Sequence, residues 1–340
     1  MATREFNIIK LHFNSPLHIS DNRDDYGISL TTIHSDTLYA AITSCLAKLE
    51  VPIPENGDLG CTISSMFPFY QESQDSEAVY FFPRPLKMQL PANSFALENA
   101  KKIKKVQWID KHYFQKVING DYSFFENENI IENITNKYLS INNIDCNFIS
   151  SYVAPRVSVS RSFEDAKPFY MDRVCFKGYS GLYCIVEGDT TLLEKGLKLL
   201  ELEGIGTDRN VGNGFFTYSK EKIKIDIPND FNKAISLSVY IPNDKVELKN
   251  LVEGDNIAYD FTRRGGWITD TPYNSLRKNA IYAFLPGSVF SINSNSDMVK
   301  GRIVNLQPMI ENNYFTDKNI DKLQHPIWRC GKSIFIPAII

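Results

Sequence analysis

Residues 182–219 read LYCIVEGDTTLLEKGLKLLELEGIGTDRNVGNGFFTYS: a strand, a helix, a glycine-rich loop and a second strand in succession. LYCIVE at 182–187 is a strand-like apolar run. Thr191 with Glu194 three positions on makes a capping box. Leu193, Leu197 and Leu200 then line one face of a helix over about 192–203. Gly204 followed by Ile205 fits a glycine C-cap with its hydrophobic contact. FFTYS at 215–219 leads away as a strand. A matching half stands upstream. Ile9, Leu11 and Phe13 alternate within residues 5–13, a strand. In SDTLYAAITSCLAKLE at 35–50, Leu38, Ala41, Ile42, Cys45, Leu46 and Leu49 form one apolar stripe. Ser35 or Asp36 suits its N-cap, and Pro52, Pro54 and Gly57 end it.

Between the halves, RVSVSR at 156–161 and FYMDRVCF at 169–176 alternate as strands around the polar connector SFEDAKP. The order strand, helix, strands, helix, strand is the ferredoxin-like βαββαβ plan. A large insertion at roughly 55–155 follows its first helix, and KKIKKVQWIDKHYFQK at 101–116 there carries six Lys against one Asp. Near 225 the pattern resets. ISLSVYI (235–241), NAIYAFL (279–285), GSVFSI (287–292) and GRIVNL (301–306) read as strands with little helix between them. The expected fold class is α+β, with a first domain over 1–221 and a second, more degenerate one over 222–340.

Composition bounds the function. At roughly 150 residues per domain, 340 residues make about two. Apolar residues at 43% and charged residues at 23% sustain a packed core. No apolar run reaches the ~20 residues of a membrane span, and MATREFNIIKLHF lacks a signal-peptide profile, so the expectation is a cytoplasmic protein off the membrane. A net charge of −3 excludes a uniformly basic surface but leaves room for local basic stripes. Six cysteines without CxxC and five scattered histidines without HExxH predict no metal, no disulfide framework and no cofactor.

Three segments carry candidate chemistry. In GIGTDRNVGNGFF (204–216), Gly204, Gly206, Gly212 and Gly214 surround Arg209 and Asn210. A dinucleotide fingerprint runs G-x-G-x-x-G from strand to helix, whereas this loop runs from helix to strand. Two readings remain: glycines that let backbone N–H groups approach phosphates, aided by Arg209, or an ordinary turn. In 154–176, Arg156, Arg161, Lys167 and Arg173 interleave with Phe163, Phe169 and Tyr170. That suits unpaired or distorted nucleic acid, or a solvated hairpin balanced by Glu164, Asp165 and Asp172. In 260–290, Arg263, Arg264, Arg277 and Lys278 flank Gly265, Gly266, Trp267 and Tyr273. This is either a cationic surface with stacking rings or a loop anchored on the core by Trp267. His34 is the one placed acid–base candidate, and a structural histidine fits there as well. No G-x-S-x-G and no paired acidic hairpin motif occurs.

IHSDTLYAAI (33–42), PRVSVSR (155–161), GIGTDRNVGNGFF (204–216) and RRGGW…RK…LPGSVF (263–290) occur in this order. Together they resemble the fourth-subunit family of the Csm complex, the type III-A CRISPR interference machine, within the RAMP superfamily. The resemblance spans residues 5 to about 290 and is thin over the insertion and the last fifty residues. It implies two ferredoxin-like (RRM-like) domains with a β-hairpin thumb at Arg156 to Phe176. It implies a non-catalytic subunit that holds the repeat-derived 5′ handle of the crRNA and touches target RNA indirectly. It also implies contacts with the large polymerase/cyclase subunit and a backbone RAMP subunit. The RNA-binding residues it implies are His34, Ser35, Arg156, Arg161, Lys167, Gly204, Gly206, Arg209, Asn210, Gly212 and Gly214, and the cationic reading of 260–290 adds Arg263, Arg264 and Arg277 as candidates. Ser160-Arg161 departs from the family's Asp-Arg, and Thr207-Asp208-Arg209-Asn210 from its Gly-Lys-Arg-Ser type. Two alternatives stay beside it: a RAMP endoribonuclease acting on repeat RNA through His34, and a purely structural ferredoxin-like subunit.

Overall fold

The computed structural model describes residues 1–20, 26–88, 99–158, 166–292, 298–309, 321 and 323–340. The first half runs β1 (Ala2–Phe13), α1 (Ser35–Lys48), β2 (Cys61–Ile63), β3 (Phe67–Tyr70) and β4 (Val79–Pro83). Then come α2 (Ala100–Lys104), β5 (Trp108–Asp110), α3 (Lys111–Ile118), β6 (Ile134–Thr135), β7 (Tyr138–Leu139), β8 (Ile149–Ser158) and β9 (Lys167–Phe176). β10 (Gly181–Gly188), α4 (Thr191–Glu203) and β11 (Phe216–Ile227) complete it.

The main sheet has the order β11-β1-β10-β3-β4-β5-β7-β6, and β2 also pairs with β10. β1 is apolar on both faces because both are covered. Ile9 and Leu11 point to one side, against Leu38, Ile42 and Leu46 of α1 and Leu193, Leu197 and Leu200 of α4. Phe6 and Ile8 point to the other, against Phe82, Ile109 and Phe114 of the insertion and Ile235, Leu237 and Ile336 of the second half. Burying each such leucine stabilises by roughly 1.5–3 kcal/mol, and Leu197→Ala would remove about 2–5 kcal/mol with the cavity it leaves.

Three expectations need correcting. The strand after α1 lies within the segment read as insertion: Cys61–Ile63 and Phe67–Tyr70 pair with β10. The true insertion therefore sits between β3 and β10. The 156–176 strands do not join that sheet. β8 and β9 form their own two-stranded ribbon, in register from Ile149↔Phe176 to Ser158↔Lys167. Finally, β11 runs on to Ile227, so a boundary at 221/222 would cut a strand. Caps shift by one residue. His34 occupies the N-cap position of α1 with no side-chain cap bond. Thr190 precedes α4, and its hydroxyl donates to Glu194 at 2.6 Å.

The second half holds β12 (Lys233–Ser236), α5 (Lys245–Val252), β13 (Phe261–Arg264), β14 (Ile281–Phe284) and β15 (Val289–Ser291). β16 (Val299–Lys300), β17 (Ile303–Asn305), β18 (Trp328–Cys330) and β19 (Ser333–Ala338) follow. Its sheet has the order β15-β12-β19-β16, with β13–β14 and β17–β18 as separate ribbons. The whole is α+β, dominated by antiparallel sheet.

Candidate nucleic-acid interface

The fold brings the glycine-rich loop and the β8–β9 hairpin together through a segment that no motif marked, Pro16–Ile19. Leu17 exchanges backbone hydrogen bonds with Val174 of β9, both at 2.8 Å. On the other side of the same segment, Gly214 N–H donates to the Pro16 carbonyl at 2.8 Å and Thr207 N–H to the His18 carbonyl at 3.0 Å. His18 is fully buried, with Nδ1 2.7 Å from the Asp172 carbonyl of β9. Its Nε2 is buried without a hydrogen-bond partner. Asn213, 1% exposed, reaches Met171 of the hairpin with its amide 3.7 Å from Sδ. Arg156 of β8 closes the contact, 3.6 Å from Asp208.

The four loop glycines divide three to one. A Cβ on Gly206 would strike the His18 carbonyl, and one on Gly214 the Ile205 carbonyl. Gly204 is crowded by Asn213 and Gly214. Gly212 has φ +92° and open space around it. The N–H groups of Gly204, Gly212 and Gly214 donate to Leu200, Arg209 and Pro16. Those three amides are therefore spent inside the chain and cannot cradle a phosphate as the sequence suggested. What the loop offers outward is its tip: Arg209, Asn210, Val211 and Gly212 are exposed. Arg209 is held by Glu203 at 3.4 Å with its side chain 43% exposed, a surface pair worth under about 1 kcal/mol that a phosphate can displace. Lys167 is exposed at the start of β9. Arg161 lies outside the described residues.

The remaining candidates gather elsewhere, around Asp36. This carboxylate is fully buried. Arg264 donates to it from Nε at 2.7 Å and from Nη2 at 2.9 Å, and Arg329 from Nη1 at 2.7 Å. Burial alone would raise its pKa, but the two guanidiniums outweigh burial and hold it below the usual carboxylate range. Lys278 lies in the same field; burial first, then the Arg329 charge, lowers its ammonium to about 8. Arg264 is thus a structural clasp rather than an open RNA contact. Ser35 is also spent: it is 2% exposed, accepts from Val239 N–H at 2.9 Å and donates its own N–H to Ser65 at 3.1 Å. His34 is half-buried beside Asp36. Arg263 and Arg277 are exposed, and Arg277 lies 4.7 Å over the Trp267 ring.

Sequence reasoning missed His18, Asp36 as an ion-pair centre, and Arg329. His18 carries no local signal. Asp36 reads as a cap because Asp at a helix start so often is one. Among the described residues no group of three or more His, Cys, Asp or Glu is placed to hold a metal ion, and all six cysteines are free thiols. No described helix is long and apolar enough to cross a membrane.

Residues 229–338 match the family model of the CRISPR Csm4 C-terminal domain. A CRISPR system Cms protein Csm4 of Methanocaldococcus jannaschii is 30% identical over 161 residues, 43% of this chain but only 39% of that relative. The counterpart of Thermococcus onnurineus is 24% identical over 68% of this chain and 74% of its own length. That of Streptococcus thermophilus is 23% identical over 83% and 86%. Among solved structures, a chain of a Csm1–Csm4 cassette in complex with cA4 superposes with TM-score 0.57 at 16% identity, covering 98% of both chains. A chain of a Csm3–Csm4 subcomplex of the type III-A CRISPR-Cas interference complex gives TM-score 0.56 at 18% identity, covering 98% and 99%. At such identities the superpositions carry the fold alone.

Proposed function

We propose that this chain, which belongs to the Csm4 family of type III CRISPR effector subunits, holds the repeat-derived 5′ handle of a crRNA and catalyses no reaction itself. The observation that carries this is the junction at Pro16–Ile19. It fixes a loop tip bearing Arg209 and Asn210 against a hairpin bearing Arg156 and Lys167. Cations and rings on two elements of fixed relative position suit a short, defined piece of RNA. The strand order β11-β1-β10-β2, with α1 and α4 on one face, is that of a ferredoxin-like βαββαβ unit and supports the RAMP reading.

In this reading β8–β9 is a thumb. Tyr152, Val153, Val157 and Tyr170 on it are 48–63% exposed. Such a surface can replace a lost base stack beside the handle. Unstacking one step costs a few kcal/mol and aromatic stacking returns roughly 1–3 kcal/mol per base, so pairing of guide with target elsewhere carries the binding. The Csm1–Csm4 and Csm3–Csm4 assemblies of related chains support contacts with the large polymerase/cyclase subunit and a backbone subunit. A cytoplasmic location follows from work on RNA in such an assembly.

Handle-RNA binding by the assembled complex tests the reading. Arg209→Ala should weaken it and lower the slope of log affinity against log salt by about one, as one lost phosphate contact predicts. An unchanged slope removes the loop from the interface. Cleavage of repeat RNA by the chain alone, abolished in His34→Ala, would overturn the non-catalytic assignment in favour of a nuclease.

A further inference from the structure

The ribbon β13–β14 pairs with no other strand of the described sheets. Its register sets Phe261 opposite Phe284 and Arg263 opposite Tyr282. Side chains directly opposite each other share a face, so Phe261, Phe284, Arg263 and Tyr282 lie together and Thr262, Arg264, Ile281 and Ala283 lie on the reverse. The reverse face is the anchored one: Ala283 is 1% exposed, and Arg264 is clasped by Asp36. The outer face is packed at Phe284, against Tyr240 and Phe290, and open beyond it. Phe261 is 55% exposed and Tyr282 64%, with ring centroids 5.8 Å apart, and Tyr259, 46% exposed, stands edge-on to Phe284 at 5.2 Å.

Adjacent arginines make the contrast plain. Arg264 faces inward to a carboxylate. Arg263 faces outward among the rings, and among the described residues no ion pair occupies it. In the connection between the two strands, Arg277 lies over the Trp267 ring and is a second exposed cation. Rings spaced by outward arginines answer both parts of an unpaired nucleic acid, bases for the π-faces and phosphates for the guanidiniums. The ribbon is also joined to the candidate interface. Arg264 meets Asp36 just after His34. The chain from His34 back to Tyr26 is eight residues long, at most about 30 Å. Tyr26 packs on Phe169 of the hairpin with ring centroids 5.6 Å apart.

We propose that the outer face of β13–β14, formed by Tyr259, Phe261, Arg263 and Tyr282, is a second stacking platform for unpaired RNA beside the loop and hairpin reading. Bases lie on the rings and the backbone lies along Arg263. The proposal rests on the reading of the chain as an RNA-holding subunit.

The test uses the full chain and a fluorescein-labelled r(A)12, read by anisotropy across a salt series. Phe261→Ala/Tyr282→Ala should weaken binding by roughly tenfold or more, since each lost base stack is worth about that much. It should leave the salt slope unchanged, because no cation is removed. Phe261→Trp/Tyr282→Phe should restore affinity, whereas Phe261→Leu/Tyr282→Leu, which keeps apolar area but no ring, should not. Arg263→Ala should lower the slope by about one. Unchanged affinity in the alanine pair, with Arg209→Ala still impaired, overturns the platform and leaves the loop reading standing. A wild-type chain that does not bind the oligonucleotide even at low salt overturns both. Lost co-assembly with a protein subunit at unchanged RNA affinity makes the face a protein interface and also overturns the proposal.

Discussion

The glycine-rich loop at 204–214 and the RRGGW segment at 263–267 are alike as sequence, arginines set among glycines before a strand-like run. In the fold they are opposites. Arg209 stands at an exposed tip with one surface carboxylate for company. Arg264 turns inward to a fully buried one. What separates them is Asp36, 228 positions from Arg264 in the chain. An arginine's part is therefore set by whether a distant carboxylate reaches it first. The same rule divides Arg263 from its neighbour Arg264.

The contrast can be broken at its buried end first. Asp36→Asn removes the buried carboxylate that Arg264 and Arg329 share. It should cost about 3–5 kcal/mol in chemical denaturation, the scale for a broken buried pair. Because Asp36 is held below its ordinary pKa, the wild-type advantage is full above about pH 4 and disappears as acid protonates the carboxylate. A loss under about 1 kcal/mol would make the clasp no different from the Arg209–Glu203 surface pair. Within the loop the glycines sharpen the comparison. Gly214→Ala drives a Cβ into the Ile205 carbonyl and should cost more than about 2 kcal/mol, while Gly212→Ala meets open space and bears only the ~1–2 kcal/mol of a left-handed backbone. Equal losses in thermal melts would contradict that division. The smallest effect belongs to Lys278. Its ammonium is charged at neutral pH in a site that lowers its pKa to about 8. Lys278→Met should therefore stabilise at pH 7 by on the order of 1 kcal/mol. The unfolded lysine titrates near 10.5, so the gain should shrink as pH rises from 8 towards that value. A gain constant across that range would mean the charge carries no penalty.

Local patterns made β1, α1, β9 and α4 legible, because each has a period or a glycine stop within reach of its neighbours, whereas β8 begins at Ile149, within the segment read as insertion. The second strand of the main sheet was not legible. CTISSMFPFY at 61–70 gives two strands of three and four residues, broken at Ser64–Ser65 and containing Pro68. Too few alternations remain to register as a period. Its partners are equally remote: Ser65 N–H donates to the Leu237 carbonyl at 2.8 Å. α5 has a legible start. Asp244 accepts from Glu247 N–H at 2.8 Å, and Asp with Glu three residues on is written in the sequence as a helix start. For the site, the exposed tip at Arg209 was readable, but the aromatic face of β13–β14 was not. Phe261 and Tyr282 look like core residues until their register and the inward turn of Arg264 are known.

β1 and β11 are joined along twelve residue pairs, from Ala2↔Ile227 to Phe13↔Phe216. Thr3 and Asp226 are 223 positions apart. On the ribosome the first strand emerges long before its partners exist. At roughly 5–20 residues per second, on the order of ten seconds or more pass before β10 and then β11 can close on it. For that interval a strand apolar on both faces has two open edges, the situation most prone to wrong pairing. Synthesis of this chain should therefore be sensitive to chaperone supply, and slowing its translation between residues 13 and 181 should lower its soluble yield.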